Sequence, residues 1–383
     1  MASQNGSGSE SKGADLASVT EYHSDQDQKD HHQLATLGKK GVLKRTFHFI
    51  SILGFSCTVL VTWEGATILF AQGLTNGGPI GTIISFIFVW FGNLSVFAAL
   101  SELVSMAPTS GGQYHWVSML APKWASKILS YVTGWLTIGG WLGSMAAGCF
   151  LTGTMLQGII NLTHPSYVGT GWQGSLFMFL AALISTFVNS MANTLLPKFE
   201  ALALVVHVAG FFAILIPVVY LAPHNDTAFV FETFSNLGQF PTDGLAFFLG
   251  MMGNVVAFVG ADAAFHMCEE VQNPSVVVPQ SIMAAVIING AVGLAMMIAM
   301  LYCINDIEKT LATTTGFPFM EIFRNATGSR AAAAGMTVVM IVMAMTATIG
   351  IHASVSRIVW AFSRDKALPG WKAWSKVSLE DAS

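Results

Sequence analysis

Eight runs of apolar residues, each long enough to cross a hydrocarbon layer of roughly 30 Å, govern what this chain can fold into. They cover residues 50–72, 79–104, 128–160, 174–192, 199–221, 244–267, 281–304 and 332–361, separated by short polar connections. A backbone in lipid must satisfy its own hydrogen bonds, so such runs become helices. The fold class is therefore an all-α integral membrane protein with about eight transmembrane helices. The third and eighth runs exceed the bilayer thickness and are expected to tilt. Composition excludes the alternative of a water-exposed globule. Hydrophobic residues make up 53% of the 383 and charged residues only 10%, against about 25% charged in soluble domains.

The remaining composition narrows partners more than it names them. No basic patch interleaved with aromatics is present, so nucleic acid is not an expected partner. The four cysteines, Cys57, Cys149, Cys268 and Cys303, lie in or beside apolar spans without Cys-x-x-Cys spacing. They read as small buried hydrophobes, with no disulfide framework, metal site or cofactor implied. Residues 1–40 are polar and aperiodic, and are predicted to form a disordered cytoplasmic tail. They lack the apolar stretch and cleavage site of a signal peptide, and the pair His31-His32 reads as part of a solvated tail. Residues 41–376 form the membrane domain, and 377–383 a short polar end.

Cationic residues set the orientation. With the N-terminus in the cytoplasm, the inside segments hold fourteen of the seventeen Lys and Arg. The outside loops hold Lys309, Arg324 and Arg330. The positive-inside rule selects that arrangement. Three glycosylation acceptors, Asn161, Asn225 and Asn325, fall in the loops it places outside. Two further matches, Asn5 in the tail and Asn93 within a span, are excluded by the same topology.

Glycine or charge inside a membrane span needs a reason. The first span contains Thr62-Trp63-Glu64-Gly65-Ala66, and the sixth contains Val259-Gly260-Ala261-Asp262-Ala263. A carboxylate at bilayer depth costs several kcal/mol unless it faces a cavity or a partner. A matched pair of Gly-interrupted spans, five helices apart, is the sequence pointer to an inverted-repeat transporter whose half-helix ends hold substrate near the midplane. Gly65 or Gly260 alone would read as a packing residue; the coincidence of glycine and acid favours function. Glu64 and Asp262 are candidates to pair with a substrate cation or to carry a coupling proton. Trp63 and Phe258 beside the breaks suit an amine or quaternary ammonium, and serve equally as helix packing. His207, about two turns inside the fifth span, is a third proton-coupling candidate, with a hydrogen-bonded packing role as its alternative. His352 reads similarly. Glu102 reads as a helix-end pair or gate, and His266, Cys268, Glu269 and Glu270 as residues that end the sixth helix and shape the inside loop.

Two segments carry a family resemblance. Ser101-Glu-Leu-Val-Ser-Met-Ala-Pro-Thr-Ser-Gly-Gly-Gln-Tyr-His-Trp116 resembles the stretch after the second helix in the amino acid–polyamine–organocation superfamily. Gly260-Ala-Asp-Ala-Ala-Phe-His-Met-Cys-Glu-Glu-Val-Gln-Asn-Pro274, continuing to Val278-Pro-Gln-Ser-Ile282, resembles the sixth helix and following loop of its fungal amino acid, GABA and choline permeases. The resemblance covers about residues 40–376. It implies the LeuT-like inverted-repeat fold and a site formed by Thr62, Trp63, Glu64 and Gly65 opposite Phe258, Gly260, Ala261 and Asp262. It also implies proton symport rather than sodium coupling. Where the family commonly breaks helix one at a Gly-rich stretch, Thr-Trp-Glu-Gly stands here. The family has ten core helices, so eight spans imply an incomplete second repeat and a chain truncated at its C-terminus.

The expected function is therefore secondary active transport of an amino acid, GABA or choline-like amine, in the plasma membrane or a vacuolar membrane. The partners are a small-molecule substrate, protons and the lipid bilayer. Other classes fare worse. A channel would need a carbonyl-lined filter or ring-forming repeat, and an enzyme would need a spacing such as His-Glu-x-x-His or an activated nucleophile. A non-transporting fragment or nutrient receptor that kept the fold is the remaining alternative.

Overall fold

The computed structural model describes residues 26–376; residues 1–25 and 377–383 lie outside it, and with them most of the predicted N-terminal tail and the polar C-terminal end. The described residues are all-α apart from a single bridge between Phe47 and Val271. Among them, seven helical stretches are long and apolar enough to cross a membrane.

The first of these is Phe49–Thr75, broken into α1 (Phe49–Leu60) and α2 (Thr62–Thr75). Next come α3 (Gly78–Met106), the short α4 (Gln113–Leu120), α5 (Ser126–Thr163), α6 (Gly171–Met191) and α7 (Leu196–Leu221). The predicted span 244–267 is not one helix: α8 (Asp243–Gly250), α9 (Met252–Ala257) and α10 (Ala263–His266) share it, with residues 258–262 unwound. The chain continues through α11 (Pro274–Tyr302), the amphipathic α12 (Pro318–Thr327) and α13 (Arg330–Arg364). At 1.5 Å per residue the 38 residues of α5 extend about 57 Å, longer than a bilayer core of roughly 30 Å.

The broken first span is the centre of the bundle. Its most apolar window is 78% buried inside the protein, against 11% for α6, which leaves most of its side chains on the outside of the bundle. α1 and α2 pack against α11, with α7 against α1 and α9 against α2. α3 lies on α11, and α5 on α13. Close approach of α1 to α7 depends on Gly54, where a Cβ would sit 2.6 Å from the Glu200 carbonyl oxygen. Small residues at such crossings let helix backbones touch, which supplies packing energy where lipid offers no hydrophobic drive.

Residues 26–36 lie within the segment expected to be disordered and instead form a helix. Its order comes from distant partners: the Asp30 carboxylate accepts the Asn273 backbone N–H at 2.9 Å and lies 3.7 Å from Arg45, and Leu34 is buried. A polar sequence gives no periodic sign of such docking, because ionic and backbone contacts secure it as much as an apolar face.

Past the unwound segment, the loop that leads into α11 is tied to α13. Glu269 makes a two-bonded pair with Arg364 at 2.6 and 2.7 Å and also accepts the Ser110 N–H. Glu270 pairs with Arg357 at 2.7 and 3.2 Å. Phe47 brackets the same loop, donating to the Glu270 carbonyl and accepting from the Gln272 N–H. Two carboxylates that look isolated in the sequence thus become latches between the sixth span and the eighth.

Candidate functional site

The first break falls at Val61, which adopts a left-handed conformation (φ 36°, ψ 46°) between α1 and α2. A β-branched residue there is strained, by on the order of 1–3 kcal/mol, and its surroundings must hold it. One holding contact is Asn289 of α11, whose Oδ1 accepts the Thr62 N–H at 3.2 Å. That N–H has no partner within the helix because it belongs to the first turn of α2. Gly65, expected at the interruption, lies instead in that first turn. Its N–H donates to Val61 O, and a Cβ on it would be 3.4 Å from Ala257, so it serves the packing of α2 on α9.

The second break spans residues 258–262 and centres on Gly260, with φ +120°. Only glycine takes that conformation without strain. A Cβ on Gly260 would also lie 3.1 Å from Val59 Cγ1 and 3.2 Å from Val59 O. The two breaks therefore touch, Val59 being two residues before Val61. Sequence spacing alone proposed the pairing of the first and sixth spans, and the contact realises it.

Glu64 and His207 form the polar centre beside the first break. His207 Nδ1 lies 2.8 Å from Glu64 Oε1, and both side chains are 1% exposed. Trp63, fully buried, stacks in a tilted arrangement on the His207 ring (centroids 5.9 Å) and edge-on to Phe211 (6.0 Å). Four buried polar atoms here have no hydrogen-bond partner among the described residues: Thr62 Oγ1, Trp63 Nε1, Glu64 Oε2 and His207 Nε2. Buried polar groups are nearly always paired, so this concentration on three consecutive residues and their partner marks the place apart from ordinary packing.

The other sequence candidates distribute differently. Phe258 is buried and packs on Phe86 at 5.2 Å rather than on Trp63. Ala261 is buried in a separate apolar cluster with Val59 and Leu60. Asp262 accepts a 3.0 Å hydrogen bond from Gln113 of α4. Both line a cavity of about 380 Å³ beside Gly140, Trp141 and Ser144 of α5. Asp262 and Glu64 thus have different partners, Gln113 for the one and His207 for the other. His352 bonds Ser185 at 3.0 Å, bridging α13 and α6, and Glu102 is exposed near the end of α3. The three asparagine acceptors sit in different settings. Asn161 bonds Tyr167 O and Thr314, Asn225 bonds Leu301 O and Ile304 O, and Asn325 is exposed on α12.

Sequence reasoning missed Glu200. It sits one turn into α7, completely buried, with Oε2 2.6 Å from Thr58 Oγ1 of α1 and Oε1 unpartnered. A charge at so dry a position, with one hydrogen bond, would cost several kcal/mol. Its place near the edge of a hydrophobic run hid it among helix-end residues. Asn289, in the middle of α11, carried a visible signal, a lone amide in an apolar span.

Comparisons with known proteins fit this architecture. The amino acid permease family model matches residues 47–383. A Macrophomina phaseolina protein named as an amino acid/polyamine transporter is 31% identical over 327 residues, covering 85% of this chain and 72% of its own length. The choline transporter of Saccharomyces cerevisiae is 30% identical over 338 residues, with 88% of this chain and 60% of the relative matched. An amino-acid permease of Arabidopsis thaliana is 28% identical over 365 residues, with 91% and 70% matched.

Proposed function

The chain belongs to the amino acid permease family, a family of membrane transporters rather than enzymes, and on that premise we propose that it moves an amine-bearing small molecule by proton symport, binding it where the first and sixth spans break. Amino acids, GABA and choline-like amines are the substrate class. The observation that carries this reading is the Glu64–His207 pair, buried beside Val61 with an unpartnered atom on each member.

The chemistry follows from one shared proton. Adding or removing it changes the net charge of the pair by one, in surroundings where water does not screen the change. A substrate amine docked at the adjacent break interacts differently with the two protonation states, and that difference in affinity is the coupling free energy. Trp63 offers an indole face for a cationic head, while Thr62 Oγ1 offers a hydroxyl. Gly260 supplies exposed backbone on the facing side, and half-helix ends at such breaks suit charged groups. Asp262, on its own cavity with Gln113, is a second carboxylate for the cation or proton, and Glu200 a third buried acid. The orientation that fits has the N-terminus and the Arg357 and Arg364 latches in the cytoplasm and Asn161, Asn225 and Asn325 outside, in the plasma membrane or a vacuolar membrane.

The test is radiolabelled uptake into vesicles containing the chain, with and without an inward proton gradient, for choline, GABA and a panel of amino acids. Gradient-stimulated, saturable uptake that Glu64→Gln removes at equal membrane abundance is the expected result. Uptake indifferent to Glu64 would move the site elsewhere. Binding without uptake would favour a receptor-like role.

A further inference from the structure

A second cavity, of about 920 Å³, opens at the end of the bundle that carries Lys39 and Asp365. α4, the start of α5, the end of α13 and residues 37–39 frame it. Its lining includes Lys39, Lys123, Lys127 and Lys366 against a single carboxylate, Asp365. Lys39 forms an ion pair with that carboxylate, which also accepts a 2.9 Å hydrogen bond from the Tyr114 hydroxyl. The acid is spent within the wall. Lys123 and Lys127 are exposed and have no ion pair among the described residues. Lys366 rests its ammonium over the Trp371 ring. The cavity therefore presents net positive charge that the described residues do not neutralise.

Two independent features say what kind of anion fits. His115 in the wall has a buried Nε2 with no partner. Burial and the charge of Lys39 hold the His115 ring below its ordinary pKa of 6.5, so at neutral pH it is an uncharged polar group beside the lysines. The cavity also has an apolar rim: Ile128 (69% exposed) is in its lining, Leu120 and Trp124 (87% exposed) flank the lysines in sequence, and the described residues leave all three uncovered. Uncovered apolar side chains on a membrane protein adjoin lipid, and lysines beside them reach the headgroup level.

We propose that this cavity binds the phosphorylated headgroup of an anionic phospholipid, the acyl chains lying along the exposed apolar rim. Basic pockets between helices at the membrane surface are suited to such headgroups, because each lysine there attracts an anionic lipid within a screening length. A free phosphate has the same charge but would leave the apolar rim unused. The choice of leaflet rests on the cytoplasmic placement of this end proposed above; the headgroup chemistry does not.

The experiment measures retention of fluorescent phosphatidylinositol 4-phosphate by the full chain in detergent micelles. Lys123→Gln with Lys127→Gln removes two exposed charges without disturbing a buried contact. At roughly fivefold per lysine, about thirty-fold weaker retention is expected for the pair. Lys198→Gln, an exposed lysine outside the cavity, should leave retention unchanged. Unaltered retention in the double variant would overturn the proposal, as would equal loss in Lys198→Gln, which signals diffuse surface attraction. Retention of phosphatidylcholine as tight as that of the phosphoinositide would overturn it too. Soluble inositol phosphate bound as tightly as the lipid would reassign the cavity to a free phosphate. Because binding is read without transport, a failure here is distinguishable from a failure of the symport reading.

Discussion

Glu64 and His207, 143 residues apart in the chain, meet at 2.8 Å with each side chain 1% exposed. One belongs to the first turn after a strained helix break, the other to the middle of α7. A pair so buried is sensitive to the loss of either member, since the survivor keeps its polarity without its partner. Glu64→Gln and His207→Gln are each expected to reduce proton-driven uptake at least tenfold, a loss of about 1.4 kcal/mol or more. The double variant is expected to lose less than the sum. Additive losses in that cycle would show that the two residues act separately.

Gly260 and Val59 hold the two breaks together. Gly260→Ala would place a methyl 3.1 Å from Val59 Cγ1 on a backbone at φ +120°. Destabilisation of about 1–3 kcal/mol is expected, read as a lowered unfolding temperature in detergent. Val59→Ala opens space on the facing wall and should recover part of that loss. No recovery would mean the backbone strain dominates the contact.

The latches between α13 and the loop that leads into α11 lend themselves to a charge test. Arg364→Gln leaves Glu269 buried without its guanidinium, and a cost of about 3–5 kcal/mol is expected. Arg364→Gln combined with Glu269→Gln removes both charges and should be closer to the parent. The unfolding temperatures of the three proteins decide the matter, and a double variant less stable than Arg364→Gln contradicts it.

His115 predicts an acid-sensitive step. Its folded pKa is depressed by burial and by Lys39, so the unfolded chain binds the proton more readily. Its contribution to stability is complete above the unfolded value of 6.5 and declines as pH falls from there through the lower folded value. Unfolding temperatures measured from pH 7.5 down should fall less steeply for His115→Gln. Parallel curves would assign the acid sensitivity to other groups.

Glu200 offers a contrast in size and charge. Glu200→Gln keeps the volume and a hydrogen-bonding partner for Thr58, and should remain folded. Glu200→Lys introduces a cation at a completely buried position, and is expected to abolish expression of folded protein. Normal abundance of Glu200→Lys in membranes would show that water reaches the site.

Much of the architecture was legible because lipid leaves the backbone few choices. The long apolar runs, the coincidence of glycine and acid in the first and sixth spans, and the polar ending at Glu269 and Glu270 all follow from the cost of unsatisfied or charged groups in hydrocarbon. The exact hinge was not legible. Val61 carries no sequence mark of a break, since a β-branched residue enters the left-handed region only when its neighbours force it there. The structure gives that role to Val61 and leaves Gly65 to packing.

The sequence by itself determined a bundle of membrane helices, the identity of the two interrupted spans and the acids within them, because these depend on local hydropathy and on the backbone's need for hydrogen bonds. Tertiary structure alone decided the partners. His207 for Glu64, Gln113 for Asp262, Thr58 for Glu200 and Asn273 for Asp30 are separated by 142 to 243 residues in the chain. Charge and hydrogen bonding act over a few ångströms of space, and no periodicity along a chain records which distant side chain will fill that distance.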